Sequence, residues 1–124
     1  MAETFSLQAR LKSFAYAFNG IIILFREQHN ARLHGLAVFV VVMLGVVFDL
    51  DSWEWAILTL TMAIVLAAEA LNTAVEYLAD ACMPDHHPLI AKAKDVAAAA
   101  VLLLAVAAII IALIIFFPYF LGGN

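Results

Sequence analysis

The chain has 124 residues, of which 67% are hydrophobic and 13% are charged. Soluble domains are only about half apolar, so this composition and a mean hydropathy of +1.06 predict an integral membrane protein. The length allows one domain with a few spans, over residues 1–124. Ten acidic and six basic residues give a formal net charge of -4 with no long basic run, so we do not expect nucleic acid as a partner.

The first predicted element is an amphipathic helix over residues 5–28. Large apolar side chains recur there at near-helical spacing, and charged or polar side chains lie between them. This pattern is typical of a helix that lies in the membrane interface rather than one that crosses the bilayer. No basic segment followed by a short apolar core and a cleavage site begins the chain, so we do not expect a cleaved signal peptide.

Three transmembrane helices are predicted, at residues 33–50, 53–79 and 96–117. Each stretch is apolar and close to the length of about 20 residues that a spanning helix needs. A short acidic turn separates the first two spans, and residues 81–95 contain two prolines and are predicted as a loop. The expected fold is therefore an all-α membrane protein, a bundle of three spans with an N-terminal surface helix.

The basic residues predict the orientation of the chain. They all lie before the first span or between the second and third spans. By the positive-inside rule, the N-terminus and the 81–95 loop are cytoplasmic and the C-terminus is outside. Aromatic side chains then gather at the outer boundary, as an aromatic belt would: Trp53, Trp55, Phe116, Phe117, Tyr119 and Phe120.

Four polar residues lie on one face of the second span, in EALNTAVEYLAD (69–80). On a helix that turns about 100° per residue, Glu69, Asn72, Glu76 and Asp80 fall within roughly 80° of one another. The second span leaves the hydrocarbon near Val75, so Glu76 and Asp80 meet the cytoplasmic water. Glu69 lies about 9 Å deeper than Val75. A carboxylate at that depth is costly in free energy. A structural glutamate paired with a neighbouring helix is the simpler interpretation, but four polar groups on one face favour function.

Three further charged residues accompany this face: Lys94, Asp95 and Glu27. Carboxylates hold a hard cation, a lysine neutralises phosphate, and a deep carboxylate accepts a proton. Together these groups suit phosphoryl transfer from a water-soluble nucleotide to an alcohol dissolved in the lipid. Each also has a simpler interpretation, as a snorkelling lysine, a helix cap or a solvated charge. The sequence lacks the glycine-rich P-loop and kinase motifs, so any nucleotide binds without them.

Four segments resemble the bacterial membrane-integral diacylglycerol kinase and undecaprenol kinase family: FAYAFNG, NARLH, EALNTAVEYLAD and HHPLIAKAKDVAAAAVLL. The resemblance covers nearly the whole chain, and E-x-x-N-x-x-x-E and A-K-D are its most specific motifs. It implies a homotrimer of three-span subunits in the bacterial inner (cytoplasmic) membrane. Such an enzyme uses Mg²⁺ and ATP to phosphorylate a lipid alcohol at the cytoplasmic face.

The resemblance also implies roles for individual residues. Glu69 would be the general base and contact the lipid substrate. Asn72 would help to position Glu69. Glu76 would bind magnesium and meet the nucleotide. Lys94 and Asp95 would contact phosphate and order the site.

Two more residues gain roles from the same motifs. His87 would lie near the nucleotide base, and Arg10 would lie near the lipid substrate. The family usually has a second magnesium-binding glutamate just before x-N-x-R-x-H, where this chain has Gln28, with Glu27 one residue earlier. A neutral amide ligates magnesium more weakly than a carboxylate, so we expect Glu27 to be the ligand.

The sequence leaves two questions open. The segments NARLH and HPLIAKAKDVAAAAVLL look more like the undecaprenol branch, which slightly favours undecaprenol over diacylglycerol as acceptor. The main alternative function is a small proton-coupled transporter with Glu69 as a proton relay. A non-enzymatic assembly subunit is a third hypothesis. Neither alternative accounts for the charged groups gathered at one membrane face.

Overall fold

A computed structural model describes residues 5–122, which form four α-helices and no strand. Residues 1–4 and 123–124, which the predicted domain includes, lie outside the described part. The last three helices are long and apolar enough to cross a membrane. This architecture confirms the predicted all-α membrane fold with three spans and a preceding helix. The helices are α1 Leu7–Glu27, α2 His29–Val47, α3 Ser52–Cys82 and α4 Pro88–Phe120.

Helices α3 and α4 extend beyond the predicted spans at both ends, whereas α2 begins earlier and ends three residues before the predicted end at residue 50. The predicted 81–95 loop is too long. The connection between α3 and α4 covers only residues 83–87. Pro88 begins α4 because the N–H that proline lacks has no partner at the first helical position anyway. Lys94 and Asp95 therefore lie on α4. At the other end, Pro118 lies inside the last turn of α4 and does not end the helix before Phe120.

A tight junction joins α1 to α2. Gln28 has an extended backbone, with φ -104° and ψ 117°, so the chain changes direction there. Arg32 on α2 donates from Nε to the carbonyl of Phe25 at 2.9 Å and from Nη2 to the carbonyl of Arg26. These bonds satisfy carbonyl groups that a helix leaves free at its C-terminal end. The junction therefore holds Glu27, the last residue of α1, in place.

The turn between α2 and α3 has the hydrogen-bond pattern of a Schellman motif. The Asp49 N–H donates to the carbonyl of Val46 at 3.3 Å, and the Leu50 N–H donates to the carbonyl of Gly45 at 3.2 Å. Asp49 has a φ of 53°, a left-handed conformation that aspartate tolerates better than most residues with a side chain. The turn brings the start of α3 back against the end of α2.

The buried apolar core lies near this turn, where α3 and α4 pack most extensively. Phe48 stacks on Tyr119 with 5.5 Å between ring centroids. Elsewhere most apolar side chains of the spans are exposed in the single chain, as expected of surfaces that face lipid or other subunits. The buried core residues are Leu50, Leu58, Ile115 and Phe116.

Candidate active site

The polar face of α3 changes from buried to exposed toward the C-terminal end of the helix. Glu69 is 1% exposed and Asn72 is 8% exposed, Glu76 is half-buried, and Asp80 is exposed. At 1.5 Å per residue, these side chains extend over about 16 Å of the helix axis. The face therefore connects a buried carboxylate to the surface of the chain.

Glu69 faces α2 at the buried end of this series. Its Oε2 atom lies 3.6 Å from Nε2 of His34, which is longer than a hydrogen bond. Among the described residues, Glu69 Oε2 has no hydrogen-bond partner. A buried carboxylate oxygen without a partner is destabilising. Such exceptions in a folded protein call for an explanation, and catalysis is one of the common ones.

Asn72 and Glu76 supply oxygen atoms one and two turns further along. Asn72 Nδ2 donates to Glu76 Oε1 at 3.3 Å, which orients the carboxylate. Within residues 5–122, the Asn72 Oδ1 atom is buried and has no hydrogen-bond partner. Both groups thus present free oxygen atoms, the ligands that a hard cation prefers.

These donors fit magnesium that arrives with a nucleotide. In the described part of the chain, no three Asp, Glu, His or Cys side chains converge on one point. Proteins usually bind Mg²⁺ through one or two carboxylates, with water and substrate phosphates as the other ligands. Glu76 with Glu27 would satisfy that requirement without a complete protein cage.

Glu27 is held at the same end of α3. Its Oε2 atom accepts a hydrogen bond from the Tyr77 hydroxyl at 2.6 Å. Tyr77 directly follows Glu76, so the bond brings the end of α1 to this turn of α3. Gln28, the residue in strict family register, is half-buried and forms the junction between α1 and α2.

Lys94 links α4 to the exposed end of the polar face. Its Nζ atom donates to Asp80 Oδ1 at 2.8 Å. Both side chains are solvent-accessible, so this ion pair adds little to stability and serves mainly to orient the lysine. Asp95 is the next residue on α4 and is exposed. His87 caps α4, because its Nδ1 atom accepts a hydrogen bond from the Leu89 N–H at 3.2 Å.

The structure does not bring Arg10 to this cluster. Arg10 lies in the first turn of α1, is exposed, and its guanidinium lies 5.9 Å from the centroid of the Phe5 ring. Glu27 is at the opposite end of the same helix, about 25 Å away at 1.5 Å per residue. Hydrogen bonds join Glu27 and Lys94 from other helices to the C-terminal half of α3. His87 and Asp95 lie near the start of α4.

Two contacts of the site involve residues to which the sequence analysis gave no role, His34 and Tyr77. His34 is the last residue of the NARLH segment, and Tyr77 lies within EALNTAVEYLAD. Both segments were therefore visible as motifs. Only the packing of α1 and α2 against α3 shows that His34 faces Glu69 and that Tyr77 binds Glu27.

Three helices apolar enough to span a membrane, with a buried carboxylate beside oxygen donors, fit a small membrane-integral enzyme. The sequence model described as prokaryotic diacylglycerol kinase matches residues 15–116. The chain therefore belongs to the prokaryotic diacylglycerol kinase family, and it is a lipid kinase. The predicted family and enzyme class are confirmed, and the transporter alternative has no support.

Individual relatives agree with this assignment. The chain is 40% identical over 87 residues to undecaprenol kinase of Bacillus subtilis, covering 70% of this chain and 71% of that protein. It is 38% identical over 89 residues to a diacylglycerol kinase of Synechocystis sp., covering 71% of this chain and 51% of that protein. Identity to diacylglycerol kinase of Escherichia coli is 28% over 88 residues, 71% of this chain and 72% of that protein.

Proposed function

We propose that the protein transfers the γ-phosphate of ATP to the hydroxyl of undecaprenol, with diacylglycerol as the second candidate acceptor. The observation that carries the proposal is Glu69, a nearly fully buried carboxylate whose Oε2 atom has no hydrogen-bond partner within residues 5–122. Undecaprenol is favoured because the 40% identical relative bears that name. Diacylglycerol stays a candidate because a 38% identical relative is named for it.

Glu69 acts as the general base in the proposed reaction. The lipid hydroxyl gives its proton to the Glu69 carboxylate as the hydroxyl oxygen bonds to the γ-phosphorus. The bond from that phosphorus to the β–γ bridging oxygen breaks, and ADP leaves. A buried base suits this acceptor, because the hydroxyl of a lipid stays near the hydrocarbon. Asn72 lies one turn from Glu69 and helps to position it in this proposal, and its hydrogen bond in the structure goes to Glu76.

The more exposed residues of the cluster receive the nucleotide. Glu76 and Glu27 would hold Mg²⁺, which supplies positive charge against the phosphates when bound. Lys94 contacts a phosphate oxygen and Asp95 orders the site around it. His87, at the start of α4, lies near the adenine ring of the nucleotide. In this arrangement ATP arrives from water while the acceptor arrives from the lipid.

We also propose a homotrimer in the inner membrane of a bacterium, with the N-terminus in the cytoplasm. The broad apolar surfaces that one chain leaves exposed support assembly in the bilayer. Arg10 lies too far along α1 to reach Glu27 of its own chain. We therefore assign Arg10 to the lipid substrate at a neighbouring subunit's site.

The test is phosphoryl transfer by the purified protein in lipid–detergent micelles. ATP labelled at the γ-phosphate is added with undecaprenol, with diacylglycerol, or with neither lipid, each with and without Mg²⁺. We expect label in undecaprenol phosphate at a higher rate than in phosphatidic acid, and none after chelation of the metal. If neither lipid gains label in the presence of Mg²⁺, the proposed function is wrong; faster labelling of diacylglycerol would reverse the choice of acceptor.

A further inference from the structure

His34 approaches the proposed base from a different helix. Its Nε2 atom lies 3.6 Å from Glu69 Oε2, and the side chains are 22% and 2% exposed, respectively. The oxygen that His34 faces is the one without a hydrogen-bond partner among the described residues. When Nε2 carries the proton, the imidazole offers an N–H donor to a carboxylate atom that lacks one in the described part of the chain.

His34 also lines an apolar cavity of about 260 Å³ between α2, α3 and α4. An apolar cavity of about 150 Å³ already admits benzene, so this one has room for a segment of a hydrocarbon chain. Thr61 also lines it, but its hydroxyl donates to the carbonyl of Ile57 at 2.8 Å. Among residues 5–122, His34 is the single ionisable side chain in the lining. It therefore separates a lipid-compatible space from the Glu69 carboxylate.

We propose that His34 is a positioning residue for Glu69. Its Nε2 atom holds Glu69 Oε2, which leaves Oε1 to accept the proton of the lipid hydroxyl. The inference rests on the proposed role of Glu69 as the base. The separation of 3.6 Å is slightly longer than a hydrogen bond, and catalytic hydrogen bonds commonly shorten when substrate binds. A donor at this buried place has a larger effect on the carboxylate than it would in water.

A purely structural contact would behave differently from a positioning contact. Loss of a structural contact lowers stability and leaves the rate of the folded enzyme unchanged. Loss of a positioning contact lowers kcat, because the base is misaligned, and leaves the KM for ATP unchanged. The two roles can therefore be separated by kinetics on folded variants.

The kinetic test compares His34→Leu and His34→Gln with His29→Gln as the matched control. His29 is on the same helix but is exposed. We expect His34→Leu to lower kcat about tenfold or more, as misplacement of a catalytic group does, with the KM for ATP unchanged. His34→Gln should restore part of the rate, because its amide offers an N–H donor. Parent kcat in both His34 variants, or a changed KM for ATP with kcat intact, would overturn the proposal.

A spectroscopic test does not depend on turnover. Infrared spectra of protein with ¹³C-carboxyl-labelled glutamate are recorded for the parent and for Glu69→Gln, and the band lost in Glu69→Gln belongs to Glu69. We expect this band to shift in His34→Leu and to stay in place in His29→Gln. An unmoved band in His34→Leu would overturn this inference alone. If neither lipid gains the labelled γ-phosphate in the transfer assay, the proposed function is overturned instead.

Discussion

The N-terminal and C-terminal halves of α3 each bury one glutamate, and the two carboxylates have very different surroundings. Glu54, 6% exposed, accepts two hydrogen bonds at Oε2, from the Asp51 N–H at 2.9 Å and from the Tyr119 hydroxyl at 2.7 Å. Glu69 is more deeply buried, yet in the described part of the chain its Oε2 atom has no such bond. The two residues lie about 22 Å apart along the axis.

This difference agrees with a structural role for Glu54 and with the proposed role of Glu69 as the base. Glu54 belongs to a capping box that starts α3, and it also joins α3 to α4. Its hydrogen bonds offset the free-energy cost of burial. Within residues 5–122, Glu69 Oε2 accepts no hydrogen bond and lies 3.6 Å from His34 Nε2, which agrees with a group kept for its chemistry. Burial alone would not distinguish the two residues, whereas the state of their hydrogen bonds does.

The strongest test replaces each of the two buried glutamates, Glu69 and Glu54, by glutamine. Glu69→Gln removes the proposed base, so kcat should fall by about 10²- to 10⁴-fold while ATP binding is largely retained. The stability of the Glu69→Gln variant should not fall, because a neutral amide is easier to bury than an unpaired carboxylate. The measurements are the initial rate of lipid phosphorylation, nucleotide binding and thermal unfolding in the same micelles.

Glu54→Gln is the matched control for that substitution. It keeps the size of the side chain but weakens two hydrogen bonds to a carboxylate oxygen, so stability should fall while kcat stays close to that of the parent. If Glu69→Gln turns over at the parent rate, Glu69 is not the base. If Glu54→Gln loses activity as severely as Glu69→Gln does, the distinction between a structural Glu54 and a catalytic Glu69 is wrong.

A second prediction concerns the magnesium requirement. Glu76→Gln should raise the Mg²⁺ concentration for half-maximal rate about tenfold or more, a typical loss when a metal site is weakened. Glu27→Gln should shift the same curve in the same direction if Glu27 is the second ligand. The measurement is a titration of rate with Mg²⁺ at saturating lipid. An unchanged curve for Glu76→Gln would argue against its assignment as a ligand.

A third prediction measures what the Glu54 contacts contribute to stability. Glu54→Ala leaves the Asp51 N–H and the Tyr119 hydroxyl without their acceptor, so the free energy of unfolding should fall by about 1–3 kcal/mol. Tyr119→Phe removes one of the two bonds and should cause a smaller loss in the same direction. Denaturant titration in micelles provides the measurement, and kcat should not change. Parent-like stability in Glu54→Ala would show that this end is not held by the carboxylate.

Sequence patterns predicted the parts of the fold that depend on local composition. Apolar runs locate the three spans, and the helical period places Glu69 and Asn72 on one face. The helix starts were less accurate, because hydropathy marks the apolar part of a helix rather than its first residue. Pro88 was interpreted as part of a loop, although proline also begins helices.

The partners of the two glutamates could not be predicted from spacing. The contact of His34 with Glu69, and that of Tyr119 with Glu54, join different helices. Such contacts depend on how far each helix is rotated and shifted against its neighbour. A single sequence carries no direct signal for that rotation. The pattern placed Glu54 in the short acidic turn and singled out Glu69 on the polar face, but it indicated the partner of neither residue.

The smallest predicted effect tests whether the Glu54 end is also the more tightly packed one. Gly45 is buried, and a Cβ atom there would lie 2.6 Å from Cη2 of the Trp55 ring and 3.1 Å from Leu50. Gly45→Ala should therefore cause overpacking, which typically costs about 1–3 kcal/mol, offset by a gain of up to about 1 kcal/mol in helix propensity. Gly20 on α1 is the matched control, since no atom of residues 5–122 outside its own helix backbone and immediate neighbours lies within 4 Å of such a Cβ.

We expect Gly45→Ala to lower the free energy of unfolding by a net amount of about 1 kcal/mol and Gly20→Ala to leave it unchanged or raise it. Both variants should keep the parent kcat, because a Cβ added at Gly45 meets Trp55 and Leu50, and one added at Gly20 meets no neighbour within 4 Å in the described part of the chain. Denaturant titrations on the two variants, made side by side in the same micelles, give the comparison. Equal stability of the two would mean that Trp55 can move aside. The rigidity of the Glu54 end would then come from its hydrogen bonds rather than from close packing.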